Sequence, residues 1–388
     1  MTPSSEVPGA PTRRPEGSLD RMVLRSARSR EPDAAAAVRE LAGQLGDDAD
    51  LYLAFVPEGY DLDATASALT AWAGDRLIAC TSAGAIGGLG YTRDDLLAIA
   101  VTGPDVTVRT VPIGPLSDAD AGWPAAEPLV RQAVEAVAGR PAFAVLLIDG
   151  LSMREETVTA DLSDRLGQIP LVGGSAGDDL RFERTCVLVG GRFIQDAATL
   201  TVVTTSAPFR RFRLQHHGAG DTVLVVTDAT PEHRLVHRLN GRPAVQEYAR
   251  VVGVPVEQLT PSVFSTHPLV LRAGGGDWVR SISRAEPDGS LRFFCGAEPG
   301  SVLRLGRSQD PAAALAAGLA ELRHDLRGVT GMLVFDCILR RLEFEERGID
   351  QAVGRTLAEH GAAGFSTYGE QYDGVHVNQT MVGIAFGA

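Results

Sequence analysis

Apolar and polar positions along this chain fall into blocks, and one block recurs three times. The apolar run Leu51–Phe55 precedes a stretch from about Asp63 with Ala66, Leu69 and Trp72 at helical spacing, which ends in the turn Cys80-Thr-Ser-Ala-Gly84. Phe143–Ile148 leads through a helical Arg154–Leu166 to Gly173-Gly-Ser-Ala-Gly177 and Asp178. Met332–Cys337 leads through a third helical stretch to Gly364-Phe-Ser-Thr-Tyr-Gly-Glu370. Each block reads as strand, helix, and a turn of small and hydroxyl-bearing residues, the mark of one supersecondary unit used repeatedly. Glycine turns of this kind let a ligand approach the backbone, and their free N–H groups and hydroxyls can hold it.

Between the blocks, other patterns predict further elements. A helix is expected over roughly 32–45, a hairpin turning at Gly103–Asp105, and a helix over Leu129–Val137. The double glycine Gly190-Gly191 and the pairs Asp288-Gly289 and Asp373-Gly374 read as hairpin turns. Pro243 opens a helix, and Asp310-Pro311 caps an alanine-rich one that runs to Leu326. Units that mix helices with several antiparallel strands predict an α+β fold of strand–helix–strand units with antiparallel and mixed sheets. Residues 1–20 read as a disordered tail, 21–235 as one domain and 236–388 as a second, with the boundary where the repeated pattern stops.

Composition narrows the function. The 49 acidic residues outnumber the 36 basic ones, for a net charge of −13, and the basic residues are scattered, which argues against a nucleic-acid partner. Apolar runs are too short to span a bilayer and the N-terminus lacks a signal-peptide core, so no membrane is expected and a cytoplasmic location is. Cys80, Cys186, Cys295 and Cys337 are far apart, which predicts neither a disulfide scaffold nor a structural metal site.

The candidate ligand contacts are the turn residues Thr81, Ser82, Gly84, Gly174, Ser175, Gly177 and Asp178, with Ser82 and Ser366 read as the counterparts of Ser175. A second group comprises Cys337, Arg340, Tyr368, Glu370, His376 and Asn378. If the Asp373-Gly374 turn pairs its flanking segments, Tyr368, Glu370, His376 and Asn378 converge on one face and could grip an amino-acid-like ligand. The alternative is an internally satisfied network that fixes the last strand. Arg340 stands close enough in sequence to lower the thiol pKa of Cys337. Gly173–Gly177 also fits the Gly-x-Ser-x-Gly elbow of serine hydrolases, but that elbow needs a helix after the serine, and here a strand is expected at Cys186. A serine or cysteine hydrolase using Ser175 or Cys337 is thus an alternative; the leading expectation is a non-enzymatic protein.

These motifs, with Leu239-Asn-Gly-Arg-Pro-Ala244, Phe335–Arg340 and His376-Val-Asn-Gln-Thr380, resemble the FIST family of bacterial sensory proteins. The resemblance covers a FIST N-like part over roughly 50–235 and a FIST C-like part over roughly 237–385. It departs at Gly84-Ala85, where relatives commonly carry Gly-Glu. It implies a small-ligand sensor acting on a separate output protein, a histidine kinase or a cyclic-di-GMP enzyme. It also implies an alternative, a noncovalent haem that senses nitric oxide, for which His376 and His217 are the candidate ligands.

Overall fold

A computed structural model describes residues 20–118 and 122–388, so all but the last residue of the expected tail lies outside the described residues. The threefold pattern is larger than the strand–helix–strand blocks. Each repeat runs edge strand, helix, first strand, helix, second strand, turn, short hairpin and returning strand. In the first repeat these are Val23–Ser29, Ala34–Leu45, Leu51–Val56, Leu62–Ala73, Leu77–Thr81, the hairpin of Ala85–Gly87 with Gly90–Thr92, and Leu96–Thr102. The second has Thr107–Ile113, Gly122–Glu135, Ala142–Ile148, Glu155–Leu166, Leu171–Ser175, Val187–Val189 with Arg192–Ile194, and Ala198–Thr204. The third has Phe209–Leu214, Pro311–Asp325, Val329–Cys337, the helix pair Ile338–Glu346 and Asp350–Glu359, Ala362–Thr367, Glu370–Tyr372 with Val375–Val377, and Met381–Gly387. It is interrupted after its edge strand by an inserted antiparallel sheet that begins at His217 and ends at Ser308.

The three six-stranded sheets share one strand order, and none is built from its own repeat alone. First and second strands pair in parallel in every repeat, and all other pairs are antiparallel. The hairpin after each turn crosses to a neighbouring sheet. Ala85–Thr92 extends the third repeat's sheet, Val187–Ile194 the first's, and Glu370–Val377 the second's. The fold is therefore α+β with mixed sheets, as expected. Leu96–Thr102 and Thr107–Ile113 are both strands but not a hairpin, since the first pairs with Leu51–Phe55 and the second with Ala198–Thr204. Alternation alone carries no information about which sheet a strand joins.

First strands are buried on both faces, which explains their continuous apolar runs. Their inner faces meet in one shared core, where the Phe55 ring stacks on Phe365 at 4.4 Å and Phe335 meets Phe365 edge-on. Each such ring contributes about 1.5–3 kcal/mol by leaving water. Outer faces carry the helices in three separate clusters, and the inserted sheet has a core of its own. Asp33, Asp61 and Asp310 cap their helices by accepting from backbone N–H groups, each worth about 1 kcal/mol. The expected division at 235/236 falls inside the inserted sheet, within the strand Leu235–Leu239 that pairs antiparallel with His217–Thr230. Among the described residues no helix is long and apolar enough to cross a membrane.

Candidate functional site

Because the hairpins cross over, the three turns meet. Ala83 N–H donates to Ser366 O at 3.1 Å, and Ser366 N–H to Gly84 O at 2.8 Å. Tyr368 N–H donates to Ser175 O at 3.1 Å, and Ser175 N–H to Gly369 O at 2.8 Å. Gly177 N–H donates to Thr81 O at 3.2 Å, and Thr81 N–H to Cys186 O at 2.9 Å, which closes the ring. This ladder makes Thr81, and not Ser82, the counterpart of Ser175 and Ser366. The glycines make room for the neighbouring turns. A Cβ on Gly177 would stand 2.8 Å from that of Ala83, and one on Gly84, at φ +125°, 2.1 Å from Arg341 Nη1. Gly174 is likewise closed over by Thr367 and Phe365. Ser82 and Ser366 hydroxyls are buried and have no hydrogen-bond partner among the described residues, while Ser175 Oγ accepts from Gln371 Nε2 at 2.9 Å. The chain continues from Ser175 through an irregular segment to the strand at Val187, where the elbow of a serine hydrolase has a helix.

The C-terminal polar residues do not share one face. Glu370 pairs opposite Val377 and Gln371 opposite His376, so alternation sends Glu370 and His376 to opposite sides. Glu370 is fully buried, against Thr367 Oγ1 at 2.5 Å and Thr380 Oγ1 at 2.7 Å. Burial pushes its carboxyl up to about 8, against the pull of those hydroxyls, so it is neutral at pH 7. His376 lies between Gln371 Nε2, 3.3 Å from Nδ1, and Phe294 O, 3.3 Å from Nε2, and burial lowers its pKa to about 3. Asn378 is buried and its Nδ2 donates to Val377 O. Cys337 is buried too, and burial pushes its thiol well up, with Glu370 adding to the effect. The expected activation by Arg340 is absent because that guanidinium is turned to Asp336, 2.6 Å away, and to His216.

Thr81, Gly177 and Asp178 are the expected contacts that border an open space. It is a cavity of about 240 Å³ between the loop after the first repeat's first strand, Pro57–Leu62, and the Gly177–Arg184 segment of the second repeat. Glu58, Arg181, Glu183 and Arg184 supply its charges, and Arg181 pairs with Glu58 across it. Asp178 shapes that segment by accepting from the N–H groups of Phe182, Glu183 and Arg184 at 3.0, 2.7 and 2.8 Å. Tyr368 ties it to the third repeat, donating its hydroxyl to Asp178 and accepting from Leu180 N–H at 2.7 Å. Ser82, Gly84, Gly174, Ser175, Cys337, Arg340, Tyr368, Glu370, His376 and Asn378 do not line this cavity.

The two candidate haem ligands differ: His376 is enclosed, whereas His217 keeps a buried Nδ1 with no hydrogen-bond partner among the described residues. Both ring nitrogens of His376 face protein atoms, and a Cβ on Gly369 would lie 2.3 Å from its Cε1, so no open apolar pocket flanks the ring. His217 Nε2 lies 2.8 Å from Glu343 Oε2 and its ring centroid 4.3 Å from that of His216. His216, His217 and Glu343 offer three ligand atoms within 4.8 Å of one another. However, Arg340 Nη1 donates to His216 Nδ1 at 2.9 Å, which turns the Nε2–H toward Glu343 and places a cation beside the cluster. Burial lowers the pKa of His216 to about 4, and the two histidines hold the Glu343 carboxyl below its ordinary range. The arrangement is a buried hydrogen-bond network.

Sequence reasoning missed Arg341, a fully buried guanidinium that donates to Ala83 O at 2.6 Å and fills the space beside the first turn. It also missed Gln371, Glu58, Arg181 and Arg184. The doublet Arg340-Arg341 directly after an apolar strand was a signal for the first of these. Models of known families match the chain in two adjacent stretches, the FIST N domain over residues 50–242 and the FIST C domain over residues 244–373. No curated protein matches it.

Proposed function

The chain belongs to the FIST family, whose domains are sensory and bind small ligands in signal transduction, and from that premise we propose that it senses a small polar metabolite in the cavity bordered by Thr81, Gly177 and Asp178. One observation carries the reading: turns from two different repeats form walls of the same cavity, so an occupant touches both. Its size, below the ~300–1,000 Å³ of drug-sized ligand sites, suits a compact metabolite, and its alternating carboxylates and guanidiniums suit a ligand bearing both signs of charge. The output passes to a separate protein, for which the resemblance implies a histidine kinase or a cyclic-di-GMP enzyme. Mass spectrometry of small molecules that copurify with the chain identifies the candidate ligand. Added back, it raises the melting temperature of the native protein and not that of a Thr81→Val, Arg184→Ala variant. A gain that persists in the variant removes the ligand from this cavity.

A further inference from the structure

The repeat symmetry places an equivalent loop after the first strand in each repeat, and the three positions have different fates. In the first repeat the loop borders the cavity described above. In the third, the helix begins directly at Ile338, and Arg341 occupies the space beside Gly84. In the second, the Asp149–Arg154 loop borders another cavity, of about 210 Å³, whose far wall is the inserted sheet. Leu151, Phe182 and Phe294 give this cavity an apolar side, and Arg234, Arg284 and Arg292 a cationic one. Phe182 packs on Tyr368 at 5.0 Å and on Phe294 at 5.9 Å, so the apolar side is braced.

The cationic side has more donors than acceptors. Arg284 and Arg292 share one acceptor, Glu286 Oε1, at 3.0 and 2.5 Å through their Nε atoms. Arg292 Nη1 reaches His233 O at 3.0 Å, and Arg234 is held by Glu155 and by Phe294 O. A guanidinium has five N–H donors. Among the described residues, both Nη groups of Arg284 and the Nη2 group of Arg292 have no hydrogen-bond partner. With the adjacent Arg280–Glu156 pair counted, four guanidiniums face three carboxylates, a local excess of positive charge in a chain of net charge −13.

We propose that this cavity is a second binding site, for a small organic anion: a carboxylate carried on a short aliphatic or aromatic body. The body lies against Leu151, Phe182 and Phe294, and the carboxylate takes the free Nη donors of Arg284 and Arg292 in charge-assisted bonds. An inorganic anion leaves the apolar side uncovered, and a neutral analogue leaves the guanidiniums unanswered. The occupant joins the inserted sheet to the second repeat.

The test uses the full chain and isothermal titration with phenylacetate and hexanoate as probes, against phenylacetamide and sulfate. At least one carboxylate is expected to bind saturably, with phenylacetamide and sulfate weaker by at least about tenfold, the worth of one charged hydrogen bond. Arg284→Gln, at a half-exposed side chain, weakens the carboxylate by at least about tenfold with the fold retained. Leu151→Trp, which fills the cavity without altering charge, removes binding. No saturable carboxylate binding, sulfate binding as tightly as the carboxylates, or binding unchanged in both variants each overturns the proposal.

Discussion

Replacing Glu370 with glutamine separates a structural carboxyl from a ligand contact. Glu370 is fully buried, with Thr367 and Thr380 as its partners and the buried Asp336 adding repulsion, and its carboxyl stands at about 8 where 4.5 is ordinary. That displacement corresponds to roughly 4–5 kcal/mol between its charged and neutral forms. The sign follows from linkage. Between 4.5 and about 8 the unfolded chain releases this proton and the folded chain keeps it. The contribution is therefore fully present below pH 4.5 and is lost as pH rises toward 8, at about 1.4 kcal/mol per pH unit. Glutamine keeps the shape and one donor and one acceptor for the two threonines, but has no proton to lose. Urea unfolding followed by circular dichroism at about pH 5 and about pH 8.5 should find the variant within about 1 kcal/mol of the native protein at the lower pH and roughly 3–4 kcal/mol more stable at the higher. Groups that titrate in both proteins cancel in the difference. Parallel pH profiles for the two would show that Glu370 ionises freely and refute the reasoning.

Three further outcomes follow from the turns. Gly84→Ala forces a Cβ against Arg341 and Thr92 O at a positive φ, and should cost roughly 2–4 kcal/mol; an unchanged melting temperature contradicts the tight approach. Tyr368→Phe strands the Leu180 amide and releases Asp178, costing roughly 1–3 kcal/mol. Hydrogen exchange should then quicken across Leu180–Arg184, and equal exchange rates would separate that tyrosine from the loop. Cys337, buried with its thiol pushed up, should resist iodoacetamide in the native protein at neutral pH and react after unfolding.

The fold was legible where local chemistry decides it. Asp310 caps its helix where the Asp310-Pro311 pair places a cap, and Gly190-Gly191, Asp288-Gly289 and Asp373-Gly374 each turn a hairpin. The exchange of hairpins was not legible, because Ala85–Thr92 has the same alternation whichever sheet it joins. The candidate site divided on the same ground. Thr81, Gly177 and Asp178 border a cavity. The convergence of Glu370 with His376 failed because the register opposes Gln371, not Glu370, to His376. Glu58, Arg181 and Arg184 come together only through the crossing of repeats, which no spacing within one repeat reveals.

The crossing hairpins also set an order on how the chain can acquire its structure. Leu171–Ser175 has its outer edge covered by Glu370–Tyr372, almost two hundred residues later, and Ala85–Gly87 waits for Ala362–Thr367. During synthesis the first two repeats emerge with one sheet edge bare and one hairpin unattached, and both are completed only when the C-terminal residues arrive. Bare edges template the pairing of other chains. The two family modules, parted between residues 242 and 244, are therefore not separable as folding units, since a chain that ends between them leaves that sheet edge uncovered.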